Sequence, residues 1–192
     1  QAIADARAGL EALTTALSIP GTGYHVDPGY TTRIEAANAD WRRVVEHAYH
    51  LGHQPLPAQT EILGALNEFM DERDVVVQAA GSMPGDLQML WRARDPKQYH
   101  VEYGYSCMGY EIAVGLGAKM AAPDREVFVL VGDGSYLMMA QEIVTAVSEG
   151  IKLNLVLVQN QGFGSIGSLS ESLGSQRFGT RYRYRDPASG LL

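Results

Sequence analysis

The residues best placed to do chemistry stand in Val131-Gly132-Asp133-Gly134-Ser135, where an apolar run gives way at once to a segment of helical character. A strand that hands over to a helix so abruptly leaves the first helical amides, those of Gly134 and Ser135 among them, without backbone partners. Glycines on both sides of Asp133 let a ligand come close to the main chain. Unpaired amides at a helix start suit a phosphate. A carboxylate beside a phosphate is unfavourable unless a hard cation lies between them. Asp133 therefore reads as a cation ligand or, taken alone, as a plain cap on the helix.

The next apolar run ends in Gln159-Asn160-Gln161-Gly162, one strand–helix–strand unit downstream. In a parallel sheet the two strand ends then lie side by side on one edge. Asn160 offers a neutral oxygen there, and Gly162 a bare backbone carbonyl. With Asp133, two phosphate oxygens and a water, they would complete an octahedral Mg²⁺ shell. A single carboxylate fits a cation whose charge is balanced mainly by the ligand's phosphates.

These residues need a scaffold. Short β-branched runs at 74–79, 126–131 and 153–158 alternate with helix-like stretches at 109–120 and 137–149. Strands apolar throughout and separated by helices predict an α/β fold, a doubly wound parallel sheet with helices on both faces. Upstream, residues 2–17 carry Leu10, Leu13 and Leu17 at helical spacing, residues 41–51 read as a short helix, and residues 59–71 as another. The turn signals around Gly21-Thr22-Gly23 and Asp27-Pro28-Gly29 make 19–40 an extended linker. The expected organisation is a connector helix and linker over 1–45 and a ligand-binding domain over 46–192, incomplete at its C-terminal end.

Gly132-Asp133-Gly134 followed by Asn160 at this distance resembles the signature of the thiamin-diphosphate (ThDP) enzymes, the family of decarboxylases and acetolactate synthases. The resemblance implies that Asp133, Asn160 and the Gly162 carbonyl hold Mg²⁺, with Gln159-Asn160 standing for the usual Asn-Asn pair. Tyr105-Ser106-Cys107-Met108-Gly109-Tyr110 is similar to the family segment beside the aminopyrimidine. By that likeness Met108 is the apolar wedge that bends the cofactor, Ser106 lends a backbone carbonyl to the 4′-amino group, and Gly109 closes the segment. Gly81-Ser82 matches the loop that touches the diphosphate. The likeness covers roughly residues 50–170. It narrows, through GDGSYLMM and AAGSMPGDL, to a member that opens a cyclic 1,2-diketone by carbon–carbon cleavage in inositol breakdown. It leaves open another decarboxylase or carboligase, or a non-catalytic subunit.

No catalytic residue is expected within this chain. The Glu that activates the cofactor stands, in the family, on a pyrimidine-side domain, and Glu102, Glu111 and Glu142 occupy positions the family does not use for that task. The isolated chain is expected to be inactive without the missing pyrimidine-side domain of its own protein, and the complete protein to be a homo-oligomer. The absence of an initial Met suggests a start inside a longer protein.

Gly162-Phe163-Gly164-Ser165-Ile166-Gly167 also spells a dinucleotide-binding fingerprint, with Asp186 near the distance for a ribose acid, but residues 168–179 lack the apolar helix and strand such a unit requires. His47, His50 and His53 recur at every third position without a Cys or carboxylate at ligand spacing. His100 either faces the substrate or is structural. The Arg177, Arg181, Arg183 and Arg185 cluster either meets an anionic product or covers other parts of the enzyme.

Composition bounds the rest. In 192 residues, 46% are hydrophobic and 19% charged, ordinary for a globular domain. The formal charge of −7 disfavours nucleic acid or an anionic membrane as the main partner. No apolar run approaches the roughly 20 residues of a membrane span. Cys107 is the single cysteine, so no intrachain disulfide forms and a reducing, cytoplasmic setting fits.

Overall fold

A computed structural model describes residues 3, 5–21, 25–183 and 185–189. The chain divides into two compact units, Gln1–Val44 and Val45–Leu192. The first contains α1 (Ala6–Ser18) and most of α2 (Pro28–Tyr49). The Asp5 carboxylate caps α1 by accepting from Ala8 N at 3.0 Å, and no residue of α1 is buried.

Helix α2 corrects the expected linker over 19–40. Asp27-Pro28-Gly29, read as a turn, starts a helix of 22 residues. Proline suits the first helical position because its missing N–H would be unpaired there anyway. Asp27 accepts from Gly29 N at 2.9 Å and pairs with Arg33 at 2.8 Å, so both of its oxygens serve the helix start. The short helix over 41–51 is the end of this longer one. Thr22 and Gly23 of the turn signal lie outside the described residues.

The second unit is built on a four-stranded sheet, β1 (Val75–Gln78), β2 (Tyr99–Val101), β3 (Val127–Gly132) and β4 (Asn154–Val158), in the order β2-β1-β3-β4 with every pairing parallel. Side chains alternate faces along each strand. Val76, Phe128 and Leu130 point one way, into a core with Leu63, Leu66 and Met70 from α3 (Gln59–Phe69) and its C-cap, and with Met83 and Leu87 from α4 (Met83–Leu90). Val75, Val77, Val127, Val129 and Val131 point the other way, against Ile112 of α5 (Tyr110–Ala121), with Tyr136 of α6 (Asp133–Met139) and Ile143 of α7 (Glu142–Ser148) packed at the margin. Helices thus cover both faces, and burying each such valine or leucine stabilises the fold by about 1.5–3 kcal/mol relative to exposure. The last turn of α2 packs on α4, where Tyr49 donates its hydroxyl to the Leu90 carbonyl at 2.6 Å.

Four further features depart from the sequence reading. The helix expected over 137–149 is two, α6 and α7, separated at Ala140 and Gln141. Helix α4 and strand β2 were not foreseen, the first being only eight residues long with Pro84 and Gly85 in its first turn and the second only three residues long. Helix α8 (Gly164–Ser172) follows β4 although its Gly- and Ser-rich sequence carries little apolar periodicity. Among the described residues no helix is long and apolar enough to cross a membrane.

Candidate cofactor and metal site

The order of the strands decides where a site can form. From β1 the chain crosses to β2 on one side; β3 lies on the other side of β1 and leads outward to β4. Loops from adjacent strands therefore part at the carboxyl ends of β1 and β3, leaving a crevice there. A cleft of about 280 Å³ lies at that edge. Gly81 and Ser82 reach it from the β1–α4 loop, Ser106 and Met108 from the β2–α5 loop, Gly132 to Ser135 from the β3–α6 junction, and Asn160 and Gly162 from the β4–α8 loop. Every cofactor and metal residue expected from the sequence lines this cleft except Gly109, which is the N-cap of α5 behind it.

At one end of the cleft a carboxylate, an amide and a backbone carbonyl converge. Asp133 is 7% exposed. One carboxylate oxygen accepts from Gly134 N at 3.0 Å and the other from Gly162 N at 3.1 Å. No ion pair among the described residues neutralises it. Asn160 Oδ1 stands 3.3 Å from Asp133 Oδ1 and 2.9 Å from the Gly162 carbonyl, acceptor facing acceptor. Ligand oxygens at the 2.0–2.1 Å bond length of Mg²⁺ are about 2.9 Å apart along an octahedral edge, so a small divalent cation would reconcile these contacts. Rotated by half a turn, the Asn160 amide donates to both oxygens instead. The residues thus fit a cation and also have a way to satisfy one another without it. The donor set is one carboxylate, one amide and one carbonyl. Among the described residues no three His, Cys, Asp or Glu side chains gather as a metal site.

Gly162 is held where only glycine fits. Its φ is +151°, and a Cβ there would meet the Thr180 carbonyl oxygen at 2.2 Å. Phe163 N donates to Thr180 O at 2.8 Å and Tyr182 N to Gln161 O at 2.9 Å, so residues 180–182 run antiparallel along the loop and press it toward Asp133. Gln161 itself sits at φ +63° and Ser106 at φ +51°. Such conformations cost non-glycine residues energy and persist where the surroundings enforce them.

The sequence reading missed several residues of the cleft. Gln59, at the start of α3, accepts from the Ser82 hydroxyl at 3.2 Å and donates to Asp86, bracing the β1–α4 loop. Tyr103, Phe163, Ile166 and Leu169 add apolar wall. Only Gln59 had a visible signal, a polar residue opening an amphipathic helix. Glu111, set in the small and apolar stretch of α5, is fully buried. It accepts from Gly109 N at 2.9 Å and Ala80 N at 3.3 Å. Glu102 accepts from Tyr105 N at 2.9 Å and Cys107 N at 2.8 Å. The Cys107 and Tyr105 amides hold the Glu102 carboxyl below the usual range, while burial, and then Glu102, push the Cys107 thiol up.

Other candidates fall away from the cleft. His100 is exposed on β2 and does not line it. His50 lies beside Glu46, at 3.4 Å. Arg177 pairs with Glu171, and with Arg181 and Arg183 it borders a separate groove. Asp186 accepts from Ala188 N at 2.9 Å and Ser189 N at 2.6 Å, closing a local turn.

The chain belongs to the thiamine pyrophosphate enzyme family, matching its C-terminal TPP-binding domain over residues 79–189. This sets the dinucleotide reading of Gly162 to Gly167 aside. A 3D-(3,5/4)-trihydroxycyclohexane-1,2-dione hydrolase of Geobacillus thermodenitrificans is 42% identical over 99% of the chain and 32% of that protein. One of Bacillus thuringiensis is 51% identical over 70% of the chain and 21% of the protein, and one of Clostridium tetani 38% identical over 99% and 33%. The chain thus spans at most about a third of the length of these curated relatives.

Proposed function

We propose that the cleft binds thiamin diphosphate through Mg²⁺, and that the protein acts on a cyclic 1,2-diketone, adding one water as the bond between the two carbonyl carbons breaks, so that one carbon leaves as a carboxylate and the other as an aldehyde and the ring of trihydroxycyclohexane-1,2-dione opens to 5-deoxy-glucuronic acid. The gathering of the Asp133 carboxylate, the Asn160 amide and the Gly162 backbone at one end of the cleft carries the cofactor reading. The names of the relatives support the substrate. When bound, the cofactor supplies a carbon nucleophile for a carbonyl and a sink for the electrons released on cleavage.

This chain's residues bind and orient. Asp133, Asn160 and Gly162 hold the metal. The Ser135 amide, with Gly81 and Ser82, takes the diphosphate, while the Gly134 amide steadies the Asp133 carboxylate beside it. Ser106 offers its carbonyl to the aminopyrimidine amine, Met108 presses between the two rings, and Gly109 ends that segment. Tyr103, Phe163, Ile166 and Leu169 offer the cofactor an apolar wall. The activating Glu belongs to a pyrimidine-side domain, so residues 46–192 act as the diphosphate-side domain of a cytoplasmic homo-oligomer and are inactive by themselves.

Calorimetric titration of the chain with thiamin diphosphate tests the reading, with and without Mg²⁺, beside Asp133→Ala and with NAD as control. Binding that needs Mg²⁺ and vanishes in the variant is expected. Binding of NAD, or metal-independent binding equal in both proteins, would overturn it.

A further inference from the structure

The loop that carries Ser106 and Met108 is held in an unusual way. Its amides at positions 105, 107 and 109, every second one, all donate to side-chain carboxylates: Tyr105 N and Cys107 N to Glu102, at 2.9 and 2.8 Å, and Gly109 N to Glu111 at 2.9 Å. The residues between them, Ser106 and Met108, are the ones that line the cleft. Glu102 follows β2, and its own amide reaches the Gln78 carbonyl at 3.3 Å, so it is fixed to the sheet. Glu111 is buried in the first turn of α5. Its second oxygen accepts from Ala80 N at 3.3 Å, next to Gly81 and Ser82.

A buried carboxylate without a cationic partner is expensive unless amides satisfy it. For core packing alone, an apolar residue would serve at position 111 with less cost. The charge has a use if those amides must be held in place. Glu111 joins two loops that meet the ligand at different parts, and Glu102 holds the strained turn at Ser106.

We propose that Glu102 and Glu111 are positioning residues, two carboxylates that clamp the alternate amides of residues 105–109 and so set where the Ser106 carbonyl and the Met108 side chain stand against the cofactor. The clamp rests on the reading of the cleft as a thiamin-diphosphate site. Glu102 serves the pyrimidine end only. Glu111 couples that end to the diphosphate loop through Ala80.

The test compares the 192-residue chain with Glu102→Gln and Glu111→Gln. Without cofactor, residue-resolved amide exchange reads the clamp. In Glu102→Gln, exchange at Tyr105 and Cys107 is expected to rise at least tenfold while Gly109, Ala80 and the β3 amides keep their wild-type rates. In Glu111→Gln the effect falls on Gly109 and Ala80. Cys107, the single cysteine, should be alkylated several-fold faster in Glu102→Gln. With cofactor, both variants are expected to bind thiamin diphosphate at least fivefold more weakly, with affinity for Mg²⁺ alone unchanged. Unchanged exchange, or altered exchange with wild-type cofactor affinity, overturns the proposal. A wild-type chain that takes up no thiamin diphosphate overturns the cofactor reading, and with it the purpose of the clamp, while the exchange pattern still reports whether the carboxylates hold the loop. Should Glu111→Gln fail to fold, Glu102→Gln decides alone, since that side chain lies at the surface end of the loop.

Discussion

Gly162 donates to Asp133 on one side and lies under the Thr180 carbonyl on the other, so its substitution tests the site without removing a ligand atom. Gly162→Ala forces the 180–182 segment away and is expected to cost about 1–3 kcal/mol of stability, as overpacking does. Titration should show Mg²⁺-dependent cofactor binding weakened at least tenfold, although every ligand oxygen is still encoded. Asp133→Asn keeps an acceptor for one amide but loses the charge. It should unfold within a few degrees of the wild type and show no Mg²⁺ dependence in calorimetry. The residues of this cluster were legible in the sequence because strand ends in a parallel sheet fix them. Glu102 and Glu111 were not, because their partners are main-chain amides, which leave no mark on side-chain spacing. Gln59 was legible only as the polar start of a helix: its role depends on α3 starting beside the β1–α4 loop, a placement set by tertiary packing.

Among the elements, α4 joins the core to the site. Leu87 is fully buried against the sheet, and Ser82 at the helix start lines the cleft. Leu87→Ala is expected to lose about 2–5 kcal/mol, measured by urea unfolding, with an unchanged slope if the protein remains two-state. At the other end of the sheet, Glu126 at the start of β3 is held to about 2 by the Lys152 ammonium, then the Asn154 amide and Lys119. Its folded-state pKa is depressed, so its contribution is present above the unfolded value near 4.5 and fades as pH falls toward 2. Glu126→Gln should flatten the loss of stability across that window. The effect is modest, since the side chain is 40% exposed. The three longer strands were legible as β-branched runs because both faces of the sheet are covered. Helix α8 was not, because its glycines and serines answer to the loop it follows, and α2 was masked by a proline that opens a helix as readily as it ends one.

Over the whole molecule, apolar side chains remain exposed on α6, α7 and α8, among them Leu137, Val144, Val147 and Leu169. Patches of this kind favour association, which the charge of −7 opposes. Sedimentation velocity should therefore show self-association that grows with salt, and the pair Val144→Lys, Val147→Lys should shift the chain toward monomer. The sequence foretold the α/β class and, from the resemblance to one part of a larger enzyme, that apolar residues would lie exposed; it did not say on which helices, because that depends on which of them lie outermost. The strand order has a further consequence during synthesis. β1, β2 and β3 leave the ribosome before β4, whose place is on the free side of β3. About twenty residues separate β3 from β4, so that side of β3 stays open for roughly 1–4 s at 5–20 residues per second. For that interval the apolar strand with the Gly132-Asp133-Gly134 turn at its tip is a template for any passing β-segment, and the timing of translation guards it as much as its neighbours in the finished fold do.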